Sequence, residues 1–274
     1  MPADRTARGR VLIIAGSDPS GGAGVQADIK TVTVLGGYAM SAITALTVQN
    51  TLGVTAVHPV PAEVVKAQAL AALNDIGADA IKTGMLGDKA TVEACAEVID
   101  RAGDIPVVID PVMAAKGGAA LLETSALATF ADLLIPRATL LTPNAPEAEA
   151  LTGAPVRDLE GQRRAGEALL RAGAKAVLVK GGHIPGARVI DLLLTASGET
   201  QLEGPRIDTR HTHGTGCTLA SACAVGLAQG MGLEESVARA WAYVAEAIRQ
   251  APGLGSGQGP LGHGWPFPSR HAGL

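Results

Sequence analysis

The sequence predicts one α/β domain in which a mainly parallel sheet lies between two layers of helices. Short apolar runs of strand length alternate with helical segments from about residue 11 to about residue 250. The runs are continuously apolar, which is typical of strands buried on both faces of a parallel sheet. Apolar residues make up 47% of the 274-residue chain, and neither an internal repeat nor a linker divides it. We therefore expect one three-layer α/β/α domain over residues 1–274.

Each element is predicted from its own pattern of apolar residues. Strands are predicted over residues 11–15, 42–48, 80–83, 107–109, 140–142, 176–180 and 189–194. Apolar residues at intervals of three and four predict helices ending near residue 35, over 62–76, 89–101 and 124–133, near residue 147, and over 159–171, 216–229 and 233–250. The tail, residues 251–274, is rich in glycine and proline, which predicts irregular structure that either packs on the domain or frays.

The composition excludes several classes of partner. The chain carries 22 basic and 26 acidic residues, a net charge of −4, without long runs of either sign, and only 2% of its residues are aromatic. We therefore expect neither nucleic acid nor a membrane surface as a partner. No run approaches the roughly 20 apolar residues of a membrane span. Cys95, Cys217 and Cys223 form neither a metal-type pair nor an even disulfide framework, which fits a reducing cytoplasm.

A glycine-rich loop, residues 16–24, follows the first predicted strand. Ligands of open α/β sheets bind beyond the carboxyl ends of the strands, so the position of this loop favours a binding role. Its spacing matches neither the dinucleotide-binding fingerprint nor a P-loop. The sequence predicts either a loop whose bare backbone lies close to a ligand, with Asp28 one turn into the next helix, or a tight turn with a solvated Asp28.

The segment 208–217 opens a long apolar helix with small residues, among them Gly214, Thr215 and Gly216. The first N–H groups of a helix have no partner within it and lie at the positive end of its dipole, which makes an anion site. A phosphoryl group in transfer needs such stabilisation. The same dipole is expected to lower the thiol pKa of Cys217. The alternative is a glycine-rich helix cap with a buried cysteine.

Three further polar clusters follow predicted strands. Asn144 could cap the next helix with Glu147 as its capping-box partner, or both could lie near phosphates and a water-bound Mg²⁺. Lys180, which precedes two glycines, could reach a nucleotide phosphate or face solvent. The third cluster comprises Asp110, Met113 and Lys116.

Thr47, Gln49 and Asn50 end the second predicted strand. A carboxamide donates and accepts hydrogen bonds at once, so Gln49 could bind a ring nitrogen beside an amino group. The alternative is that Gln49 only satisfies neighbouring backbone groups.

Seven segments in order carry a resemblance to a known family. They are A-G-S-D-P-S-G-G-A-G-V-Q-A-D (15–28), I-T-A-L-T-V-Q-N-T (43–51), K-T-G-M-L (82–86), D-P-V-M (110–113), T-P-N-A-P-E (142–147), K-G-G-H (180–183) and T-H-G-T-G-C (212–217). Together they closely resemble the bacterial hydroxymethylpyrimidine/phosphomethylpyrimidine kinases of thiamin biosynthesis, in the ribokinase-like superfamily. The resemblance spans about residues 11–250, and G-Q-G-P-L-G-H (257–263) also resembles the family's C-terminal signature.

The resemblance implies a ribokinase-like fold, a homodimer and two successive phosphorylations that use ATP and Mg²⁺. The first converts 4-amino-5-hydroxymethyl-2-methylpyrimidine to its monophosphate, and the second makes the diphosphate. Pyridoxal kinase, a close relative, is the nearest alternative. A non-catalytic pyrimidine-binding regulator with the same fold is the alternative from another class.

The resemblance also assigns roles to individual residues. It implies that Gln49 hydrogen-bonds the aminopyrimidine edge. The remaining residues of that pocket are Asp28, Thr47, Met85 and Val112, with the loop from Gly16 to Ala23 as a wall. The amides of an anion hole come from Gly214, Thr215 and Gly216. The nucleotide phosphates are served by Asp110, Thr142, Asn144 and Lys180, and Mg²⁺ is held, through water, by Asn144 and Glu147.

Cys217 occupies a position where the superfamily's sugar kinases usually carry an aspartate that acts as a base. We hypothesise that a Cys217 thiolate deprotonates the hydroxymethyl oxygen in the first step. The second acceptor is already an anionic phosphate, so the second step needs no base.

Overall fold

The computed structural model describes residues 9–114, 118 and 121–267. Lys116, named above as part of a polar cluster, lies outside the described residues, as do residues 1–8 and the end of the tail from residue 268. Within the described residues the chain forms one sheet with helices on both faces. In this part of the chain no helix is long and apolar enough to cross a membrane.

The elements alternate along the chain as the sequence predicts. The strands are β1 (Arg10–Ser17), β2 (Tyr38–Asn50), β3 (Gly53–Pro59), β4 (Ala80–Thr83), β5 (Val107–Ile109), β6 (Leu140–Leu141), β7 (Ala176–Val179), β8 (Arg188–Thr195) and β9 (Gly198–Pro205). The helices are α1 (Gly24–Val34), α2 (Ala62–Asp75), α3 (Lys89–Ala102), α4 (Leu127–Leu133), α5 (Ala145–Thr152), α6 (Leu159–Arg171), α7 (Thr215–Ala228) and α8 (Leu233–Arg249). Short 3-10 turns at Thr124–Ala126 and Ile135–Arg137 flank α4.

The strand order is β3-β2-β1-β4-β5-β6-β7-β8-β9. The strands from β2 to β7 in this order pair in parallel. Antiparallel hairpins close both edges, where β3 pairs with β2 and the β8–β9 pair follows β7. Because parallel strands end at the same edge of a sheet, the polar clusters that follow these strands converge there.

The sheet separates two cores, which confirms the three-layer α/β/α prediction. Alternate residues of β1 point into opposite cores: Leu12 and Ile14 pack in one, and Val11 and Ile13 in the other. Helices α2 to α6 cover the first face, whereas α1, α7 and α8 cover the second. Each of these β1 side chains is fully buried, which explains why the strand is apolar throughout.

Two edge strands, β3 and β9, were missed by the sequence prediction. Their sequences, GVTAVHP and GETQLEGP, mix polar and apolar residues, and most of their side chains are exposed or partly exposed. Continuous apolar runs mark strands that are buried on both faces, whereas both faces of β3 and β9 are largely exposed. Their pairing is determined by the hairpin partner rather than by burial.

The described part of the tail is irregular and packs on the domain. The N–H of Gly262 donates to the carbonyl of Ala247, and that of Gln258 to the carbonyl of Thr51. The hydroxyl of Tyr243 on α8 donates to the carbonyl oxygen of His263 across 2.7 Å. Of the two outcomes that the sequence left open, packing is the one found for residues 251–267.

The Tyr243 hydroxyl provides a measure of how strongly the tail is held. Tyr243→Phe leaves the buried carbonyl of His263 without this donor, so we expect a loss of about 1–2 kcal/mol in the free energy of unfolding. Tyr38→Phe is the matched control, since Tyr38 is half-exposed and its change should stay within about 0.5 kcal/mol. Urea unfolding of both variants makes the comparison, and equal losses would contradict a stabilising role for the tail contact.

Candidate active site

A cavity of about 1290 Å³ lies at the carboxyl edge of the parallel strands. It brings together polar clusters that are far apart in sequence. The predicted site residues that line it are Gly16, Ala23, Thr47, Gln49, Met85, Asp110, Val112, Asn144, Glu147, Lys180, Gly214, Thr215, Gly216 and Cys217. Asp28 and Thr142 do not line it.

The glycine-rich loop between β1 and α1 is folded around the carboxylate of Asp18. One carboxylate oxygen accepts from the N–H of Ser20, and the other from the Ser20 hydroxyl and the N–H of Ala23, each across 2.9 Å. Burial alone would raise the pKa of Asp18, but these donors and His213 hold it below its usual range. Asp18 is therefore a buried carboxylate that fixes the cavity wall from Gly16 to Ala23.

Gln49 lies at the end of β2 and is linked to this wall through His213 and Thr47. Its amide nitrogen is 3.3 Å from Nε2 of His213, which in turn lies 2.8 Å from Oδ2 of Asp18. The hydroxyl of Thr47 donates to the carbonyl oxygen of Ser17 across 3.0 Å. The sequence analysis did not single out Asp18 or His213, because the sequence alone does not show that the fold brings their two loops together.

The start of α7 is pressed against the same loop. Gly214 precedes the helix at φ +84°, and a Cβ added there would lie 1.8 Å from the carbonyl oxygen of Gly22. Glycine is therefore required both by the left-handed backbone and by the close approach. Thr215, Gly216 and Cys217 of the first turn line the cavity. The N–H of Thr215 donates to the carbonyl of Thr212 across 3.4 Å, and helix geometry favours an anion at the N–H groups that follow.

A charged cluster lies on the other side of this helix start. The Lys180 ammonium donates to Oδ1 of Asp110 across 2.9 Å and lies 4.0 Å from Oε2 of Glu147. Burial opposes the charge on Lys180, but Asp110 and Glu147 outweigh it and raise its pKa. A Cβ at Gly216 would lie 3.2 Å from Nζ of Lys180, so the cluster and the helix start face one space.

Asn144 and Glu147 form the capping box of α5. The N–H of Asn144 donates to Oε2 of Glu147 across 2.8 Å, and the N–H of Glu147 to Oδ1 of Asn144 across 3.0 Å. Both residues also line the cavity, so the cap and a site role coexist. Burial raises the pKa of Glu147 to about 7, against the opposing effect of Lys180.

Thr142 acts behind the cavity wall. Its hydroxyl donates to Oδ1 of Asp110 across 3.1 Å, and its side chain is fully buried. The structure therefore places Thr142 as a support for Asp110, whereas the sequence predicted a nucleotide contact.

The expectation of an acidic Cys217 thiol is wrong. Burial raises the pKa of Cys217 to about 12, although the Lys82 ammonium opposes this. Cys217 is partly exposed at the cavity, but the protein atoms packed around its thiol disfavour the charged form more than nearby positive charge favours it. In the free protein Cys217 is a thiol.

Asp28 also differs from its prediction. It is fully buried beneath the cavity, where it accepts from Lys82 across 2.8 Å and from the Ser221 hydroxyl across 2.7 Å. It is neither solvated nor at the cavity wall. Burial alone would lower the pKa of the Lys82 ammonium, but Asp28 outweighs it and raises this pKa. Lys82 itself reaches the cavity.

The described residues contain no group of three or more His, Cys, Asp or Glu side chains arranged to hold a metal ion. Asp110 and Glu147 are the carboxylates beside Lys180 at the cavity. Such a sparse set does not form a protein cage. It fits Mg²⁺ as nucleotide sites hold it, through one or two carboxylates, water and phosphate oxygens.

The buried Lys82–Asp28 pair gives a test of stability. Lys82→Met leaves the Asp28 carboxylate buried without its counterion, so we expect a loss of about 3–5 kcal/mol in the free energy of unfolding. Adding Asp28→Asn should recover part of this, since an amide oxygen still accepts from Ser221. Lys66→Met is the control, because it breaks the surface pair with Glu97 and should cost about 1 kcal/mol or less. Chemical unfolding measures the free energy of unfolding of each variant. If Lys82→Met loses no more of it than Lys66→Met does, the buried pair does not stabilise the fold.

Comparisons with known proteins agree with the resemblance noted in the sequence. A family model described as phosphomethylpyrimidine kinase matches residues 18–262. The hydroxymethylpyrimidine/phosphomethylpyrimidine kinase of Bacillus subtilis is 48% identical over 255 residues, which cover 93% of this chain and 94% of that protein. The thiamine biosynthesis bifunctional protein ThiED of Geobacter sulfurreducens is 50% identical over 256 residues, which cover 93% of this chain. The chain spans about half the length of ThiED, 52%.

The fold comparison leads to the same superfamily. Pyridoxal kinase from Staphylococcus aureus, solved in complex with AMP-PCP and pyridoxal, superposes with a TM-score of 0.87 at 35% identity, and the match covers 94% of both chains. The fold is therefore the ribokinase-like α/β fold. With a matching family model over most of its length and near-full-length relatives at close to half identity, the chain belongs to the phosphomethylpyrimidine kinase family.

Proposed function

We propose that this protein uses ATP to phosphorylate 4-amino-5-hydroxymethyl-2-methylpyrimidine to its monophosphate and then to its diphosphate, in thiamin biosynthesis. One observation carries the proposal. A single cavity holds the Gln49 carboxamide, the first turn of α7 and the Lys180–Asp110 pair. The carboxamide can bind an aminopyrimidine, the helix start can stabilise a phosphoryl group in transfer, and the Lys180–Asp110 pair can bind a nucleotide phosphate.

The helix start lies between the two binding regions. Gly214 contacts the glycine-rich loop on the Gln49 side, and Gly216 approaches Lys180 and Asp110 on the other. A phosphoryl group that leaves the nucleotide for the pyrimidine alcohol must pass the N–H groups between them. These donors are fixed before the reaction, so they stabilise charge on the equatorial oxygens without rearrangement.

The transfer itself forms one bond and breaks another. The hydroxymethyl oxygen attacks the γ-phosphorus, the bond from that phosphorus to the β–γ bridging oxygen breaks, and ADP leaves. Lys180 supplies a fixed positive charge to the phosphates. Asp110, Asn144 and Glu147 are the residues that would hold Mg²⁺, in part through water. When bound, the ion neutralises phosphate charge.

Cys217 is our candidate acceptor for the hydroxyl proton in the first step. With a pKa of about 12 in the free protein, the thiol must first give its own proton to water in the open cavity, and the thiolate then takes the hydroxyl proton. The Lys82 ammonium is the charge that favours the thiolate. In the second step the acceptor is a phosphate oxygen that is already anionic, so no base is required.

Phosphorylation of pyridoxal is the second candidate function. It is favoured by the superposition on a pyridoxal kinase that holds AMP-PCP and pyridoxal. A regulator that binds the pyrimidine without turnover is a third. Against it, the Lys180–Asp110 pair and the open helix start serve no purpose in binding a neutral pyrimidine alone.

Three further inferences concern the state of the protein. We infer that the chain works as one kinase domain, since a single sheet runs through all the described strands. All three cysteines of the chain are unpaired, which supports a cytoplasmic location. Leu46 and Val48 are exposed on one face of β2, and Leu52 is exposed between β2 and β3; this exposed apolar surface supports a homodimer.

The first experiment is a mass-resolved assay of the purified protein with Mg-ATP and the hydroxymethylpyrimidine, with pyridoxal in a parallel reaction. We expect the pyrimidine monophosphate to accumulate first and the diphosphate to follow. Phosphorylated pyridoxal alone would assign the second function. The absence of product in both reactions would favour the regulator, which calorimetric titration of the pyrimidine would then test.

The role of Cys217 is tested by comparing the two steps in Cys217→Ala. Loss of a general base costs about 10²–10⁴-fold, so the first transfer should slow by that factor while the second changes little. Single-turnover rates with the alcohol and with the monophosphate measure this. Cys223→Ala is the matched control, because Cys223 is a buried cysteine of the same helix and should leave the ratio of the two rates unchanged. Equal losses in both steps would assign Cys217 a positioning role.

A further inference from the structure

Asp18, His213 and Gln49 form a chain of contacts that the phosphoryl transfer itself does not use. Nε2 of His213 lies 2.8 Å from Oδ2 of Asp18 and 3.3 Å from the terminal amide of Gln49. Asp18 and His213 are 2% and 7% exposed, so water does not compete for the contact between them, whereas Gln49 is partly exposed at the cavity. The other partners of each atom determine which group donates in each of these contacts.

The first contact fixes the proton on His213. Asp18 already accepts from Ser20 and Ala23, and an ionised carboxylate can only accept. A ring nitrogen 2.8 Å away must therefore donate to it. Nε2 of His213 carries a hydrogen whether the ring is neutral or protonated.

The second contact lies at the other side of the Gln49 amide. Oγ1 of Thr47 lies 3.1 Å from the amide atom placed as Oε1. The carbonyl oxygen of Ser17 can only accept, so the hydroxyl donates its single hydrogen there. Toward Gln49, Oγ1 of Thr47 can therefore only accept a hydrogen bond.

These two neighbours agree on one orientation of the amide, which is the reverse of the placement with the nitrogen 3.3 Å from His213. Nε2 of His213 gives its one hydrogen mainly to Asp18 and has no lone pair left to accept. The carbonyl oxygen of Gln49 can share that hydrogen, whereas the amide nitrogen cannot, and the acceptor on Thr47 requires the nitrogen on the other side. With the amide nitrogen beside His213, two N–H groups would face each other there, and two hydrogen-bond acceptors would face each other at Thr47. Amide orientation is assigned from such partners, since oxygen and nitrogen have nearly the same shape.

We propose that Asp18 and His213 are positioning residues that lock the Gln49 carboxamide in this orientation, so that the site binds a ring edge in one sense only. A donor of the ligand, such as an amino group, must lie toward His213, and an acceptor, such as a ring nitrogen, toward Thr47. This inference rests on the proposed function, in which Gln49 binds the pyrimidine edge. It adds that the choice between donor and acceptor is made by residues behind Gln49.

The His213 ring is held in place independently of any ligand. A Cβ added at Gly22 would lie 2.4 Å from its Cδ2, so the loop packs directly on the ring. The N–H of His213 donates to the carbonyl of Gly259 across 3.1 Å, and His213 pairs with Pro260 in a short bridge. The ring therefore cannot turn away to release the amide.

A pair of ring compounds distinguishes a locked amide from a free one. 4-Amino-5-hydroxymethyl-2-methylpyrimidine presents a donor beside an acceptor. Its 4-oxo analogue presents a carbonyl acceptor beside a ring N–H donor, which is the reverse. A locked Gln49 meets the analogue with two clashes of like groups, whereas a free Gln49 turns by 180° and accepts it.

The test compares kcat/KM for both compounds in the wild type, His213→Phe and Gln49→Leu. We expect the wild type to prefer the amino compound by at least about 100-fold. In His213→Phe the preference should fall to within about 10-fold, chiefly because kcat/KM for the oxo analogue rises. Gln49→Leu is the control in which the preference is lost without any gain for the oxo analogue. A folded His213→Phe that keeps the full preference overturns the inference.

A second measurement needs no variant. Nitrogen-15 NMR of histidine-labelled wild type should show His213 protonated at Nε2, and a ring protonated only at Nδ1 overturns the inference. Failure of the proposed function looks different. If the wild type phosphorylates neither compound, that function and this inference fail together, whereas an amino preference that survives in His213→Phe removes the inference alone.

Discussion

The buried carboxylate of Asp18 is the interaction on which the rest of the site depends. It gathers donors from Ser20, Ala23 and His213, which come from two segments almost two hundred residues apart. Hydrogen bonds to a charged group contribute about 1.5–3 kcal/mol each, so several donors together offset the cost of burying the charge. The loop wound around this carboxylate carries the Gly22 carbonyl against which Gly214 packs. The position of the α7 start, and with it the anion site, therefore follows from Asp18.

Two buried lysines set the electrostatics of the cavity. Lys82 pairs with Asp28 and Lys180 with Asp110, each at 2.8–2.9 Å. Both ammonium groups keep their charge despite burial because the carboxylates favour it. In a region of low dielectric these charges act more strongly on a polyanion than surface lysines would. The neighbouring carboxylates keep the cavity from being strongly cationic before ATP binds.

Particular residues show how far the sequence could predict this arrangement. Strands with two buried faces, such as β1 and β5, were predicted because burial leaves a continuous apolar run, whereas the exposed edge strands β3 and β9 left no such pattern. The cavity residues at strand ends were predicted because the carboxyl ends of parallel strands share one edge. The Lys82–Asp28 pair was not, since burial of a charge depends on what packs over it. The pKa of Cys217 was predicted wrongly for the same reason. Its position at a helix start can be recognised from the local sequence, but the burial that raises its pKa depends on tertiary packing.

The same electrostatic arrangement bears on how one site could serve two different acceptors. The first acceptor is a neutral alcohol and needs a group that takes its proton, whereas the second is an anion that repels the γ-phosphate. Fixed positive charge helps the second step most, because it offsets repulsion between two phosphates that must approach within bonding distance. Lys82 and Lys180, with the N–H groups of the first turn of α7, supply that charge from two sides of the cavity. A site that overcomes the repulsion between two phosphates in the second transfer can also catalyse the first transfer, to the alcohol. The condition is that Gln49 holds both acceptors by the ring edge that they share.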